Sequence, residues 1–448
     1  MEIEENNPCV SENGVCVRTG NTVLTPKKNE VIFNPEMIIS RSLALLSLGT
    51  YIRNGWCLNK TVRCLDALGA TGIAGLSWAK NFPQVEVTIN DSLETSCRAI
   101  KENELVNNVS VEVTQQDVNI LLLQRPFDFI FLDCYGSSVH YLESLFKNVP
   151  KNGLLVITST DDAALYGKVP DVTLRNYGGY IVKTFYSKEL AARLIIAAVA
   201  RSSARCNKGI EVLGSFAVKS HITLILKVTR GPAAATQCVN KIRKLLHCCI
   251  CEDKVFFPQS IYPVENPYSL LSCNCRTKSS GHVGIELGPI WSGPIFDPDF
   301  CLKMLEIAEK EQRSPKVISL LQTVVTESLG GTWPTSEKES FLIRKLPEST
   351  FTSSDKSEKG VESQEDVSDL ASKKKKLELC SPFYFNLHRH SPKGYDLGKI
   401  NKIVKFLQSR GHRASRTHFD PEAIRTSASL KELTELLMVF SQGSSLNI

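Results

Sequence analysis

The stretch Thr61-Val-Arg-Cys-Leu-Asp66-Ala-Leu-Gly69-Ala-Thr-Gly72-Ile-Ala-Gly75 decides how the rest of the chain is read. Its first six residues are a short apolar run that ends on an acid, the pattern of a strand. A glycine-spaced turn follows, and a helical pattern opens behind it. Glycines permit a tight turn and let backbone approach a ligand closely. The N-terminus of the helix offers free N–H groups.

Outward from this unit, strand-like and helix-like segments alternate from about residue 61 to 231. Thr61 to Asp66, Val85 to Asp91, Val109 to Gln115, Phe127 to Asp133 and Leu154 to Ser159 are apolar runs rich in β-branched and aromatic residues. Alternation of this kind predicts an α/β fold, a mostly parallel sheet with helices on both faces. Gly214 to Val218 and His221 to Val228 are close enough to form an antiparallel hairpin at the sheet edge. Ahead of this region, a strand or two and then a helix over Pro35 to Tyr51 are expected. After about 232 the pattern changes. A helix over Ala234 to Leu246 is expected to lead into a cluster of cysteines. Residues 335–380 are rich in Ser, Glu, Asp and Lys and read as a disordered insert. The expected organisation is a flexible N-terminus over 1–20 and a cofactor-binding domain over 21–232. A smaller α+β C-terminal domain follows over 233–334 and 381–442.

The acids carry the chemistry. Asp91 ends the second strand, at the spacing where an acid binds ribose hydroxyls in a strand–helix–strand unit. Asp117, followed by Val118, closes the region of the third. With Asp66, these acids would line one crevice at the carboxyl edge of the sheet. The glycines fall at every third position, which is not the dinucleotide spacing. S-adenosyl-methionine fits better than a nicotinamide cofactor, because it has no pyrophosphate for the loop to hold. The bland alternative is that any glycine-rich turn from strand to helix looks like this. The fourth strand runs into Asp133-Cys134-Tyr135-Gly136-Ser137, facing the same crevice. Exocyclic amines of bases are poor nucleophiles, because their lone pair is delocalised into the ring. A carboxylate and a backbone carbonyl can accept hydrogen bonds from such an amine and localise that pair. An aromatic ring can stack on the extracted base. Nitrogen and methyl must then be held roughly 3–3.5 Å apart. Asp133 and Tyr135 are the candidates for these roles; the rival reading is an acid capping a turn.

The chain has 448 residues, 42% hydrophobic and 22% charged, which is ordinary for a soluble globular protein. Collagen-like, fully disordered and disulfide-scaffold classes are excluded. The length accommodates two or three domains. Lys and Arg number 53 against 47 acids, a net +6, which permits a nucleic-acid partner without demanding one. Met1 to Asn7 is acidic and polar, unlike a signal peptide. The 15 cysteines are therefore expected mostly as free thiols of an intracellular protein. No apolar run is long enough to span a membrane.

Together these residues resemble the tRNA (guanine-N2)-dimethyltransferase family, most of all a divergent animal branch of it. The likeness covers about 20–334 and 384–440. It rests on Val31-Ile-Phe33-Asn34-Pro35 with Arg41, on the glycine loop, and on Asp133-Cys-Tyr-Gly-Ser137. It rests also on Thr158-Ser-Thr-Asp161 with Ala164-Leu-Tyr-Gly167, and on Gly411-His-Arg-Ala-Ser-Arg-Thr-His418-Phe-Asp-Pro421-Glu-Ala-Ile-Arg425-Thr. The resemblance implies a class I (Rossmann-like) methyltransferase domain joined to a C-terminal tRNA-handling domain. It implies methyl transfer to N2 of a guanosine where the D-stem meets the anticodon stem, at position 26 or its neighbour. Carried over by position, Arg41, Asp66, Gly69, Gly72, Asp91, Asp117 and Val118 would hold S-adenosyl-methionine, and Asp133 would act on the amine. The chain departs from the family at Cys134, where proline is usual, and at Ser138-Val139, which lacks a second proline. It departs also at Ala74, where arginine is usual, and at Ser40 and Ser42, where Asn and Asp are usual.

Cys248-x₂-Cys251 and Cys273-x-Cys275 are two close pairs. Four thiolates can make a tetrahedral structural zinc site, and the family often has one near here, with a two-residue gap in both pairs. His247, Cys249 and His282 are possible substitutes. Free thiols are the rival reading. Arg410, Arg413, Arg416 and His418 cluster beside an Asp-Pro turn, where basic groups can contact RNA phosphates. Lys373 to Lys376 suggests the nucleus, with the cytoplasm as the alternative. The expected function is tRNA methylation. The rivals are a catalytically weakened tRNA-binding, chaperone-like paralogue and a methyltransferase acting on a protein or DNA amine.

Overall fold

The structure, a computed structural model, describes residues 9–19, 31, 33–57, 61–260, 263–331, 382–391 and 398–444. The insert at 335–380, with Lys373 to Lys376, lies outside the described residues. So does most of the stretch in which a strand was expected ahead of Pro35. The chain divides into two compact units, Met1–Leu321 and Gln322–Ile448.

The first unit opens with a hairpin, β1 (Cys9–Glu12) and β2 (Val15–Arg18). The sequence reading placed these residues in a flexible N-terminus. They are instead paired with each other and anchored: Asn103 and Asn107 accept from the Arg18 and Cys16 amides at 2.8 Å. Cys9 and Cys16 form a disulfide across the hairpin, where free thiols were expected; the other described cysteines are free. A 3₁₀ turn at Pro35–Met37 leads into α1 (Ile38–Arg53). This helix is apolar on nearly every face, and it is buried from Ser40 to Tyr51.

A seven-stranded sheet then builds around β3 (Val62–Asp66), β4 (Val85–Asp91), β5 (Glu112–Gln115), β6 (Phe129–Asp133) and β7 (Leu154–Ser159). The connecting helices are α2 (Ile73–Asn81), α3 (Glu94–Asn107), α4 (Val118–Gln124) and α5 (Leu142–Asn148). Beyond β7 come α6 (Asp162–Leu165), α7 (Pro170–Tyr177) and α8 (Ser187–Arg205), then β8 (Lys208–Val218) and β9 (His221–Arg230). The strand order is β5-β4-β3-β6-β7-β9-β8. Pairings are parallel as far as β7; β9 runs antiparallel to both β7 and β8. This is the class I methyltransferase arrangement expected from the sequence, with its antiparallel edge hairpin. The order reverses between β3 and β6, which places Asp66 and Asp133 at the carboxyl ends of adjacent strands, two residues apart in register, at the switch point where ligands bind in such sheets.

The segment after the sheet differs from expectation. The helix expected over Ala234 to Leu246 is α9 (Pro232–Val239) followed by β10 (Ile242–Cys248). Pairing on both sides, with β11 (Lys254–Phe256) and β12 (Gly284–Trp291), makes Ile242–Cys248 a central strand whatever its local preference. A short α10 (Cys275–Lys278) precedes β12. Next, α11 (Pro298–Lys310) packs on α1, and Trp56 stacks on Phe300 with centroids 5.7 Å apart.

The second unit begins within α12 (Pro315–Ser328). It continues through β13 (Phe385–Asn386), α13 (Leu387–His390), α14 (Ile400–Ser409), β14 (Ala414–Arg416), β15 (Ala423–Thr426) and α15 (Leu430–Ser444). Its sheet has the order β13-β15-β14, antiparallel throughout. A buried ion cluster holds it together. Glu327 pairs with Arg425 and with His418 Nδ1, both at 2.8 Å, and accepts from the Thr417 hydroxyl at 2.7 Å. Burial alone would raise the Glu327 carboxyl, but Arg425 and His418 hold it down at about 2.

Candidate active site

The carboxyl edge of β3, β4 and β6 opens onto a cavity of about 310 Å³. Its walls include Arg41, Asp66, Gly69, Asp91, Asp133 and Tyr135, six of the nine residues that sequence reading gave to cofactor and catalysis. The glycine loop is shaped to form the floor. Gly72 caps α2 at φ +79°, in the left-handed region, and its amide donates to the Gly69 carbonyl at 2.7 Å. A Cβ on Gly69 would meet Ile89 at 2.3 Å, so only glycine lets the loop lie on β4. Gly72 itself is outside the lining.

The acids divide their work. Asp66 accepts from the Gly75 amide at 3.0 Å and so fixes the start of α2. Asp91 accepts from the Ala70 and Leu93 amides, both at 2.9 Å, and so fixes the turn. Asp117 is exposed and caps α4, accepting from the Asn119 amide at 2.7 Å, and Val118 is buried behind it. Neither residue lines the cavity. Asp133 has no hydrogen-bond donor among the described residues, so both its oxygens are available to a ligand. Burial, against the opposing pull of Arg41, pushes its carboxyl up to about 6. Burial, with Asp133 and Asp91 nearby, pushes Asp66 up to about 7.

Arg41 offsets this negative charge only in part, because it is shared with another acid. Its guanidinium is bound two-pronged by Glu12, at 2.8 and 2.7 Å, and donates to the Asn34 carbonyl at 3.1 Å. Glu12, at the end of β1, is a residue the sequence reading missed; nothing local marks it, since its partner lies 29 positions away. The cavity therefore presents Asp66, Asp91 and Asp133 beside a neutralised pair. That charge suits a cationic ligand.

The loop after β6 is held by three consecutive residues, the last of β7 and the two that follow it. The Thr160 hydroxyl accepts from the Gly136 amide at 2.7 Å and donates to the Cys134 carbonyl at 3.4 Å. The Thr160 amide donates back to the Gly136 carbonyl at 2.9 Å. Ser159 donates to the Ser138 hydroxyl at 2.8 Å. Ser137 donates to the Tyr177 hydroxyl at 2.9 Å, which donates to Asp161 at 2.7 Å. So held, the loop leaves Tyr135 84% exposed at the cavity mouth, where a ring can stack on a base. Sequence reading quoted Thr158–Asp161 but gave these residues no role.

The Sγ atoms of Cys248, Cys251, Cys273 and Cys275 all lie within 4.8 Å of one another. Four convergent thiols at that spacing fit a tetrahedral zinc ion. Asp253 ties the two pairs together by accepting from the Ser272 amide and hydroxyl and the Cys273 amide, at 2.7, 3.0 and 3.0 Å. The one-residue gap in the second pair is accommodated, because Cys275 opens α10 and turns back towards Cys273. His247 is not a ligand in this set: its Nδ1 is bonded to the Tyr186 hydroxyl at 2.7 Å. Cys249 and His282 are also outside the group.

Of the residues read as RNA contacts, Arg410 and Arg416 are exposed and Arg413 is half-buried. His418 is not available. Its side chain is 1% exposed and is committed to Glu327.

The profile of the N2,N2-dimethylguanosine tRNA methyltransferase family matches residues 13–338. The chain is 38% identical to the tRNA (guanine(27)-N(2))-dimethyltransferase of Macaca fascicularis, over 93% of this chain and 65% of that one. Against the human protein of the same name it is 37% identical, over 93% and 61%. It is 26% identical to the tRNA (guanine(26)-N(2))-dimethyltransferase of Methanobrevibacter smithii, over 92% of both chains. The chain thus spans under two thirds of the length of the mammalian relatives. Among solved structures it is similar to Trm1 from Pyrococcus horikoshii in complex with S-adenosyl-L-methionine. The TM-score there is 0.69 at 22% identity, over 96% of this chain and 99% of that one.

Proposed function

The chain belongs to the N2,N2-dimethylguanosine tRNA methyltransferase family, and on that premise we propose that it methylates the exocyclic N2 of a guanosine in tRNA from S-adenosyl-methionine. The relatives are named for guanine 26 and guanine 27, and the higher identity of the latter favours position 27. The observation that carries the reading is Asp133: a carboxylate without a hydrogen-bond donor among the described residues, at the switch point of the sheet, beside an exposed Tyr135.

The cavity fits the cofactor by charge. Asp66, Asp91 and Asp133 face a space in which Arg41, the one cation among the described lining residues, is already paired with Glu12. In this reading Asp91 takes ribose hydroxyls. When bound, S-adenosyl-methionine supplies a methyl group on a sulfonium centre. Tyr135 stacks on the extracted guanine. Asp133 and the Cys134 carbonyl accept the two N2 hydrogens and localise the nitrogen lone pair. A carbon–nitrogen bond forms as the carbon–sulfur bond breaks, and the amine proton passes to Asp133 or to water. A carboxyl held near 6 is ionised at neutral pH and is a better proton acceptor than an ordinary aspartate. The four cysteines hold a structural zinc ion away from this chemistry. A nuclear location goes with this reading. It is tested by the distribution of the full-length chain with Lys373 to Lys376 changed to alanine.

The deciding experiment is nucleoside mass spectrometry on tRNA from cells lacking the protein, with add-back of wild type and of Asp133→Ala. The expected result is loss of N2-methylated guanosine from a defined tRNA, restored by wild type alone. If Asp133→Ala restores it equally, Asp133 has no direct catalytic role. If no nucleoside changes on deletion, the tRNA-binding reading takes the lead.

A further inference from the structure

The second unit has a topology of its own. Among the described residues its elements as far as β15 run helix, strand, helix, helix, strand, strand: α12, β13, α13, α14, β14, β15. The sheet order β13-β15-β14 puts the first strand beside the last. This is the order of a winged helix-turn-helix unit, with α14 in the place of the recognition helix and β14–β15 as the wing.

The composition of α14 fits that place. Residues 399–410, Lys-Ile-Asn-Lys-Ile-Val-Lys-Phe-Leu-Gln-Ser-Arg, carry four basic groups and no acid. Ile403 and Leu407 are buried on the inner side. Lys399, Lys402, Lys405 and Arg410 are exposed. The three lysines repeat every third residue, so they share one face. None of the four is in an ion pair among the described residues; Arg410 lies over the Phe406 ring at 5.2 Å. On the neighbouring α15, Glu432 is engaged by the amide and hydroxyl of Ser429, at 2.7 and 2.8 Å. Arg416 is exposed on the wing. A helix face of this kind, uncompensated and solvated, complements a polyanion.

We propose that the Lys399–Lys402–Lys405 face of α14 docks the sugar-phosphate backbone of a double-helical stem of tRNA; this rests on the tRNA reading above. The deep, narrow major groove of an RNA duplex does not admit side chains to base edges. Contacts from a helix face therefore go to phosphates and 2′-hydroxyls and fix position without reading sequence. Lysines suit this, as point charges without a preferred base partner. The surface replaces the assignment that included His418, which the fold uses internally.

The test is fluorescence anisotropy of an unmodified tRNA transcript with the full-length chain, across a potassium chloride series. Lys399→Ala/Lys402→Ala/Lys405→Ala is expected to bind at least tenfold more weakly at about 0.1 M salt. The slope of log affinity against log salt should fall by about 2 to 3, near one unit for each lost phosphate contact. The triple Lys→Arg variant should bind as wild type does, and an unrelated RNA hairpin of equal stem length should lose the same increment. A control triple, Lys101→Ala/Lys147→Ala/Lys151→Ala, removes the same charge from exposed positions elsewhere. If both alanine triples weaken binding equally, the effect is net charge alone and the assignment to α14 falls. An unchanged slope in the α14 triple overturns it as well. If wild type itself binds no tRNA, the functional reading fails rather than the docking face.

Discussion

At the scale of single residues, the telling position is Thr160. The Cys134 carbonyl needs a fixed direction if it is to accept a hydrogen from an amine. The family resemblance implies a proline at that step, which would fix φ; cysteine does not. In this chain the direction is held from outside, by the Thr160 hydroxyl bridging the Gly136 amide and the Cys134 carbonyl. Replacing it by valine keeps the volume and removes both bonds. One of them leaves a backbone amide without its partner, at about 1–3 kcal/mol. Misplacement at the reacting centre has a larger effect on rate than on binding. Thr160→Val is therefore expected to lower kcat roughly 10- to 100-fold while KM for tRNA and S-adenosyl-methionine affinity change little. Thr160→Ser, which keeps the hydroxyl, should recover most of the rate. Steady-state kinetics on both variants check this, with isothermal titration of the cofactor. A purely structural threonine would show equal losses in stability and in both binding constants.

At the scale of elements, what was legible in the sequence was what local pattern encodes. The five parallel strands could be read, and with them the cavity acids Asp66, Asp91 and Asp133 but not the place of Asp117, because buried strands carry apolar runs and the loops at their carboxyl ends carry function. The hairpin β1–β2 could not, because its hold on the molecule is made by Asn103 and Asn107, some 90 positions away, and by Glu12 on Arg41. Likewise β10 carries a helix-like prelude, and only its two partner strands decide its state. The role of Glu327 in burying His418 is equally non-local. The cysteine cluster stands between these cases. Its spacing pointed to a metal, but the one-residue gap became acceptable only with α10 turning Cys275 back. Four thiols within 4.8 Å of one another would become thiolates on binding a cation, so an ion there and this small sheet would support each other. Prolonged chelation, or Cys251→Ser, is expected to release about one zinc per chain and to lower Tm by several degrees. Elemental analysis paired with calorimetry reads both effects. A chain that purifies without zinc and melts unchanged in chelator would leave the cysteines as free thiols.

At the scale of the whole molecule, the cavity exacts a stability cost that depends on pH. Asp66 is 2% exposed, and burial holds its carboxyl near 7, above the range of an unfolded aspartate. A carboxyl raised by folding binds its proton more tightly in the folded state. Its contribution to stability is therefore present at low pH and is lost as pH rises from about 4 through about 7. Above pH 7 the folded chain carries a buried, ionised Asp66 next to Asp91 and Asp133, a penalty accepted where a cationic ligand is to be bound. Asp66→Asn keeps an oxygen for the Gly75 amide and removes the charge. It is expected to raise stability at pH 8 by about 1–3 kcal/mol, and to change it little at pH 4, where the carboxyl is already protonated. The same variant should bind S-adenosyl-methionine at least tenfold more weakly. It should also lose most of the thermal shift that saturating cofactor gives the wild type. Calorimetric melts at the two pH values, with and without cofactor, separate these effects. A variant that is less stable than wild type at pH 8 would show that the Asp66 charge supports the fold. The acid cluster would then be structural, and the charge argument for a cationic cofactor would rest on Asp91 and Asp133 alone.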